Sequence, residues 1–164
     1  MSVESDIARI IEQERAFVFE RFDEDLAFAV GSHVREAARA LGKGIAVGVL
    51  LWDRTMFYGT TSGIAFGNEP WVKRKVGTVK LMLKSSYRVV LERGDKPRVL
   101  EESWAMDIRD YALAGGAFPI TLRGFGIVGA VSTSGLSERM DHNLSAAAVA
   151  HVLGIDATKY ALPD

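Results

Sequence analysis

Apolar residues recur along this chain with two different periods, and the switches between them mark out its elements. From Ser5 to Glu14 the isoleucines Ile7, Ile10 and Ile11 fall at helical spacing, after which Ala16 to Phe22 alternates in a way that suits a short strand. Asp23 is placed to cap a second helix reaching about Leu41. Its apolar stripe comprises Leu26, Val30, His33, Val34, Ala37 and Leu41, and Gly42 ends it. Gly44 to Trp52 is apolar at nearly every position, as a strand covered on both faces should be. Asp53-Arg54 then leaves two residues for the reversal into Thr55 to Thr61, which predicts a hairpin. Glu69 to Lys84 reads as a third helix that buries Val72, Val76, Val79 and Leu83, with Leu81 on the opposite side and available to a neighbouring subunit. Ser85-Ser86 breaks it, and Tyr87 to Glu92 forms a short helix ending at Gly94.

The second half carries a further hairpin, and beyond the two hairpins the chain shows no internal repeat. Asp107 and Asp110 resemble a cap for a short helix ended by Gly115-Gly116. Pro119 opens a second hairpin that runs from Phe118 to Leu122, turns at Arg123-Gly124 and returns from Gly126 to Ser132. After the Ser134-Gly135 loop, Ser137 caps a last helix to about Leu153, and the tail from Asp156 to Asp164 is expected to be loosely held. The sum is an α+β chain: a mainly antiparallel sheet with helices on both faces, in a single domain over residues 1–164.

Composition narrows the function classes. Twenty basic residues against twenty-one acidic ones give a net charge of −1, which supplies no electrostatic footprint for nucleic acid and no charged run for a membrane surface. No apolar run approaches membrane-spanning length, and the N-terminal stretch lacks the apolar core of a signal peptide. The absence of cysteine removes disulfides, thiolate nucleophiles and cysteine-based metal sites, and suits a cytoplasmic protein. With 48% hydrophobic residues in so small a chain, apolar surface is left over for self-association, so a homo-oligomer is expected.

The local chemistry points to binding more than to turnover. No nucleophile elbow, phosphate loop or paired-histidine zinc motif is present, and no metal site is expected. Free backbone N–H groups around Ser134 and Gly135 meet the positive end of the last helix, an arrangement that favours a carboxylate or phosphate. Asp141 and His142 lie just beyond. The competing reading is that this loop merely caps its own helix, with Asp141 serving the dipole. Glu138 and His142 share a helix face and could pair, whereas His142 and His151 turn to opposite sides and cannot ligate together; His33, on an apolar stripe, reads as a core histidine. Trp71 and Arg74 could stack on a flat ligand or on a neighbouring subunit. Ser86 could donate a hydroxyl, although Ser-Ser is also an ordinary helix terminator.

Trp71-Val72-Lys73-Arg74-Lys75, Ser85-Ser86-Tyr87-Arg88, Gly115-Gly116-Ala117-Phe118-Pro119-Ile120 and Ser134-Gly135-Leu136 followed by Asp141-His142 resemble the haem-degrading-domain family of the GlcG/HbpS type, from about Ser5 to Gly154. The resemblance implies a profilin-like three-layer α/β/α fold with a central five-stranded antiparallel sheet, and assembly into homo-oligomers. It also implies haem, or a similar flat anionic molecule, as ligand. Ser134, Gly135, Asp141 and His142 are then the expected binding residues, completed across a subunit contact by Trp71, Arg74 and Ser86. The rival expectations are an oligomeric adaptor that takes a protein partner and no small ligand, and an oxidative haem-degrading enzyme.

Overall fold

The computed structural model describes residues 2–163. Helix α1 (Val3–Ala16) leads into a two-residue strand β1 (Val18–Phe19). Helix α2 (Glu24–Ala40) follows, then the hairpin β2 (Ala46–Leu51) and β3 (Thr55–Thr60). Helices α3 (Asn68–Met82) and α4 (Ser86–Arg93) precede a long irregular segment. The hairpin β4 (Ala117–Leu122) and β5 (Gly126–Ser134) and helix α5 (Glu138–Val152) complete the domain. The five strands form one sheet in the order β1-β4-β5-β2-β3. Every neighbouring pair is antiparallel except β1 with β4, so the expected antiparallel sheet carries one parallel edge.

The layers follow from the side-chain alternation of the strands. Val47, Val49, Phe118, Ile120 and Val131 point to one face, where Val30, Val34 and Ala38 of α2 and Ala146, Val149 and Ala150 of α5 cover them. Ala117 and Ala130 point to the other face, against Val76 and Val79 of α3. Small residues here let α3 lie close to the sheet. A satellite cluster of Ile10, Tyr87, Val90 and Leu162 joins α1, α4 and the C-terminal tail.

Caps act where the sequence places them: Asp23 accepts from the Leu26 N–H at 3.0 Å and Ser137 from the Met140 N–H at 3.3 Å. Several expectations are corrected. Pro119 does not open its strand but lies third in it. This is tolerated because β1 pairs only with Thr121 and Leu122 and leaves that stretch of the β4 edge without a ladder to interrupt. Leu83 is exposed, because α3 ends at Met82 and Leu83 turns out of the helix with φ at 52°. Leu81 is half-buried and packs on Val89, Leu100, Tyr111 and Leu113 of its own chain. The tail is held down, with Leu162 buried and its backbone bonded in both directions by the Asn143 side chain.

No α-helix forms between Asp107 and Gly116. Side chains of α3 claim the backbone of this segment instead. Arg74 Nε donates to the carbonyls of Ile108 and Tyr111, both at 3.0 Å, and the Thr78 hydroxyl donates to the Ala112 carbonyl at 2.6 Å. The Ala112 N–H in turn reaches the Arg74 carbonyl at 3.0 Å. Such intimacy needs Gly77, where an added Cβ would lie 1.8 Å from the Asp110 carbonyl oxygen. Gly77→Ala is therefore expected to cost about 1–3 kcal/mol through overpacking against backbone, read as a lowered urea midpoint.

Candidate functional site

The loop from Ser134 to Leu136 does approach the N-terminus of α5, and the chain's own groups fill the space. Asp141 accepts from the Leu136 N–H at 3.2 Å and from Lys75 Nζ at 3.0 Å, and the same ammonium donates to the Thr133 carbonyl at 2.8 Å. Lys75 and Asp141 are both almost completely buried. Burial raises the Asp141 carboxyl above its ordinary range, and Lys75 with the backbone N–H groups of Leu136 and Gly135 pulls it back down. Ser134 donates its hydroxyl to Asn68 Oδ1 at 2.9 Å, and Gly135 lies against the backbone of Gly44. Of the two readings of this loop, the geometry is that of a helix end answered internally, with Asp141 as the anion.

His142 is wholly buried. Gln13 donates its amide to the Tyr160 carbonyl at 2.8 Å, so its Oε1, 2.8 Å from His142 Nε2, must accept; the ring therefore carries its proton on Nε2. Nδ1 has no partner among the described residues, and the rings of Tyr87 and Phe118 lie 5.5 and 5.8 Å away. Desolvation depresses this imidazole from 6.5 to about 3, with the nearby Arg139 charge adding to the effect. Glu138 does not pair with His142. It binds Arg98 at 2.8 and 3.1 Å and the Gly115 N–H at 2.8 Å, and these partners outweigh burial to hold its carboxyl below the usual range. Ser86 is buried too, its oxygen accepting from the Ala117 N–H at 3.0 Å.

Trp71 and Arg74 are placed differently. They line a groove of about 360 Å³ between α3 and the pinned segment, whose walls also include Arg98, Ile108, Tyr111 and Glu138. The Arg74 guanidinium stacks over the half-exposed Trp71 ring, 4.8 Å from its centroid. Its Nε is tethered by the Ile108 and Tyr111 carbonyls, and the two terminal nitrogens have no hydrogen-bond partner among the described residues. Arg98 and Glu138 neutralise one another, so Arg74 supplies the unbalanced positive charge. The structure thus separates the sequence-derived set into two. Ser134, Asp141, His142 and Ser86 are buried, each bonded to another part of the chain, and Trp71 with Arg74 faces the groove. Sequence reasoning missed Arg98, Ile108, Tyr111 and Glu138 as groove residues; the apolar residues Trp104, Met106 and Ile108 inside an otherwise charged loop were the available signal.

Among the described residues no three histidine, aspartate or glutamate side chains converge as a metal cage, and no helix is long and apolar enough to cross a membrane.

A three-layer α/β/α domain with a five-stranded sheet and a cationic, aromatic-walled groove is the class this architecture defines. The family model described as haem degrading protein HbpS-like matches residues 22–150, and the chain belongs to that family. A UPF0303 protein of Brucella anthropi is 47% identical over 157 residues, 96% of this chain and 93% of the relative. Among solved structures, the Ybr137w protein superimposes with a TM-score of 0.80 at 24% identity, covering 94% of this chain and 95% of its own. HbpS follows with a TM-score of 0.67 at 20% identity, covering 82% and 91%. A PduOC–heme complex gives 0.66 at 14% identity, covering 79% and 93%.

Breaking the buried ion pair from one side is expected to be severe. Lys75→Met should cost about 3–5 kcal/mol in urea unfolding, and adding Asp141→Leu should recover most of that loss, because the penalty is the unpaired carboxylate. His142 generates a pH dependence. The folded chain keeps this ring neutral down to about pH 3, whereas an unfolded chain binds the proton near 6.5, so its stabilising contribution is complete above 6.5 and is lost as pH falls through that window. Denaturant midpoints compared at neutral pH and at about pH 4.5 should fall less for His142→Gln than for the wild type.

Proposed function

We propose that the chain is a cytoplasmic, homo-oligomeric small-ligand-binding protein whose groove takes a flat anionic molecule against Trp71 and Arg74, haem being the ligand that membership of the HbpS-like family suggests. The observation that carries the reading is the preorganised guanidinium: held by two carbonyls and an indole face, Arg74 keeps its terminal nitrogens free for a carboxylate or phosphate without reordering a long side chain. The PduOC–heme neighbour lends the fold a precedent for a tetrapyrrole. Cytoplasmic residence rests on the absence of cysteine, and self-association on exposed Trp71, Val99 and Ile108 around the groove.

The groove suits part of a haem and not its iron. Trp71 and Ile108 offer apolar wall and Arg74 a partner for a propionate, but none of its lining residues is a histidine or methionine, and the Tyr111 hydroxyl already accepts from the Leu100 N–H at 2.8 Å. His142 is enclosed elsewhere. The ligand would therefore be held by its face and its carboxylates, with no iron chemistry supplied by this chain.

Haemin and metal-free protoporphyrin titrated into the protein, followed by absorbance and tryptophan quenching, should bind with similar affinity. Arg74→Ala and Trp71→Ala should each weaken both by roughly tenfold or more, a usual consequence of removing an aromatic or arginine anchor, and His142→Gln should leave both unchanged. Wild-type affinity in Arg74→Ala, or binding of haemin alone, would refute the groove reading. A bare oligomer in native mass spectrometry that takes up neither porphyrin and dissociates on Trp71→Ala would favour the adaptor reading, to which the same exposed apolar residues lend support.

A further inference from the structure

The only histidine hydrogen bond among the described residues is that of His142, which leaves the other two imidazoles uncommitted. His33 of α2 and His151 of α5 lie face to face, ring centroids 4.0 Å apart and planes 21° from parallel. His33 is therefore not the core histidine its stripe suggested. The buried line of α2 runs through Ala27, Val30, Gly31, Val34 and Ala38, and His33 sits beside it, half-buried, with His151 exposed. Two rigid helices, packed on the same sheet face through Val30, Val34, Ala146 and Val149, hold the two rings together.

From this juxtaposition we infer a divalent transition-metal site, a two-histidine clamp between α2 and α5 that takes Cu²⁺, Ni²⁺ or Zn²⁺ and completes its shell with water or an outside ligand. Imidazole suits these borderline ions, and metal–nitrogen bonds near 2.0–2.1 Å bring two nitrogens of one shell to about 3 Å from each other, a separation that stacked rings reach by turning their edges toward a common point. Three further features support it. His151 lies in the last turn of α5, at the negative end of the helix dipole, which favours a cation. Burial, with the neighbouring His151, shifts His33 toward its neutral, metal-binding form. The backbone cost of gathering the ligands is already met by helix packing, so the second ring binds at high effective concentration.

This site is separate from the groove and is not a haem site. Glu138, at the groove, and His151 are thirteen residues apart on α5, about 20 Å along the axis. Two rings side by side offer adjacent positions on a metal, whereas haem iron leaves its two free positions on opposite faces of the macrocycle.

Calorimetric titration of the full chain with Ni²⁺ should show one ion per chain and a raised unfolding temperature. His151→Gln, a change at an exposed position, and His33→Gln should each weaken Ni²⁺ roughly tenfold or more by removing the chelate, with circular dichroism confirming the fold and Trp71→Ala binding Ni²⁺ as the wild type does. The Cu²⁺ complex should show two imidazole nitrogens in electron paramagnetic resonance. Absence of Ni²⁺ binding in the wild type, unchanged affinity in His151→Gln, or a single-nitrogen Cu²⁺ spectrum would overturn the clamp. None of these results depends on whether a porphyrin enters the groove.

Discussion

The Lys75–Asp141 pair joins helices that lie on opposite faces of one sheet. Lys75 belongs to α3, packed on the Ala117–Ala130 side, and Asp141 to α5, packed on the Phe118–Val131 side; their charges meet at 3.0 Å beside the end of β5. The passage is narrow. Gly116, with φ at 128°, comes so close that an added Cβ would sit 2.7 Å from Lys75 Nζ and 2.4 Å from the Thr133 carbonyl oxygen. Burying two charges costs several kcal/mol per ion before their attraction is counted, so a pair like this stabilises weakly against an apolar alternative. What it supplies is position: one register of α3 and one rotation of α5 satisfy both partners, along with the Thr133 carbonyl and the Leu136 N–H.

That positional constraint reaches the groove through α3. Lys75 and Arg74 are consecutive, so the register that points one ammonium into the interior turns the adjacent guanidinium about 100° round the helix, where it captures the Ile108 and Tyr111 carbonyls. Thr78, one turn further on, pins Ala112. On the α5 side, Glu138 precedes Asp141 by three residues and bonds the Gly115 N–H and Arg98, which closes the second wall. The groove thus comprises what remains between two helices whose registers are set by an interaction inside the protein.

Elements whose signals are local were legible in the sequence. The Asp23 and Ser137 caps, the β2–β3 hairpin and the buried valines of α3 all follow from spacing within a few residues, although the hairpin turns at Trp52-Asp53, one residue before the expected Asp53-Arg54. What escaped was decided by distant partners. The segment from Asp107 to Gly116 carries a helix-like cap, and α3 overrides it by taking the carbonyls a helix would need. The tail looks polar and loose, yet Asn143, Arg139 and Gln13 bind it from two helices. For the site, a helical projection shows that Asp141 and His142 are adjacent but not that both face inward, since an acid and an imidazole are ordinarily solvent-facing residues. Their burial depends on Lys75, 66 positions away, and on Gln13, 129 away. The closeness of Trp71 and Arg74 was legible because residues three apart on a helix are neighbours, a local pattern.

The burial of His142 also bears on how a family description transfers. A histidine near a helix start in a family described by haem degradation invites assignment as an iron ligand, and here the physics opposes it. A ring desolvated enough to stay neutral down to about pH 3, with its Nε2 proton committed to Gln13, has its one free lone pair on Nδ1 and no exposed edge from which to offer it. Bringing iron to that nitrogen would require α1 or the Tyr87 and Phe118 rings to withdraw, and so would disrupt the packing that holds α1, α4 and the tail together. The Arg74 guanidinium and the His33–His151 pair, in contrast, face outward with unspent bonding capacity. Their chemistries differ, one suited to anions and one to cations, and they lie at opposite ends of α5. A shared sheet and helix arrangement therefore does not by itself carry an iron ligand from one relative to another; the residue's own surroundings decide it.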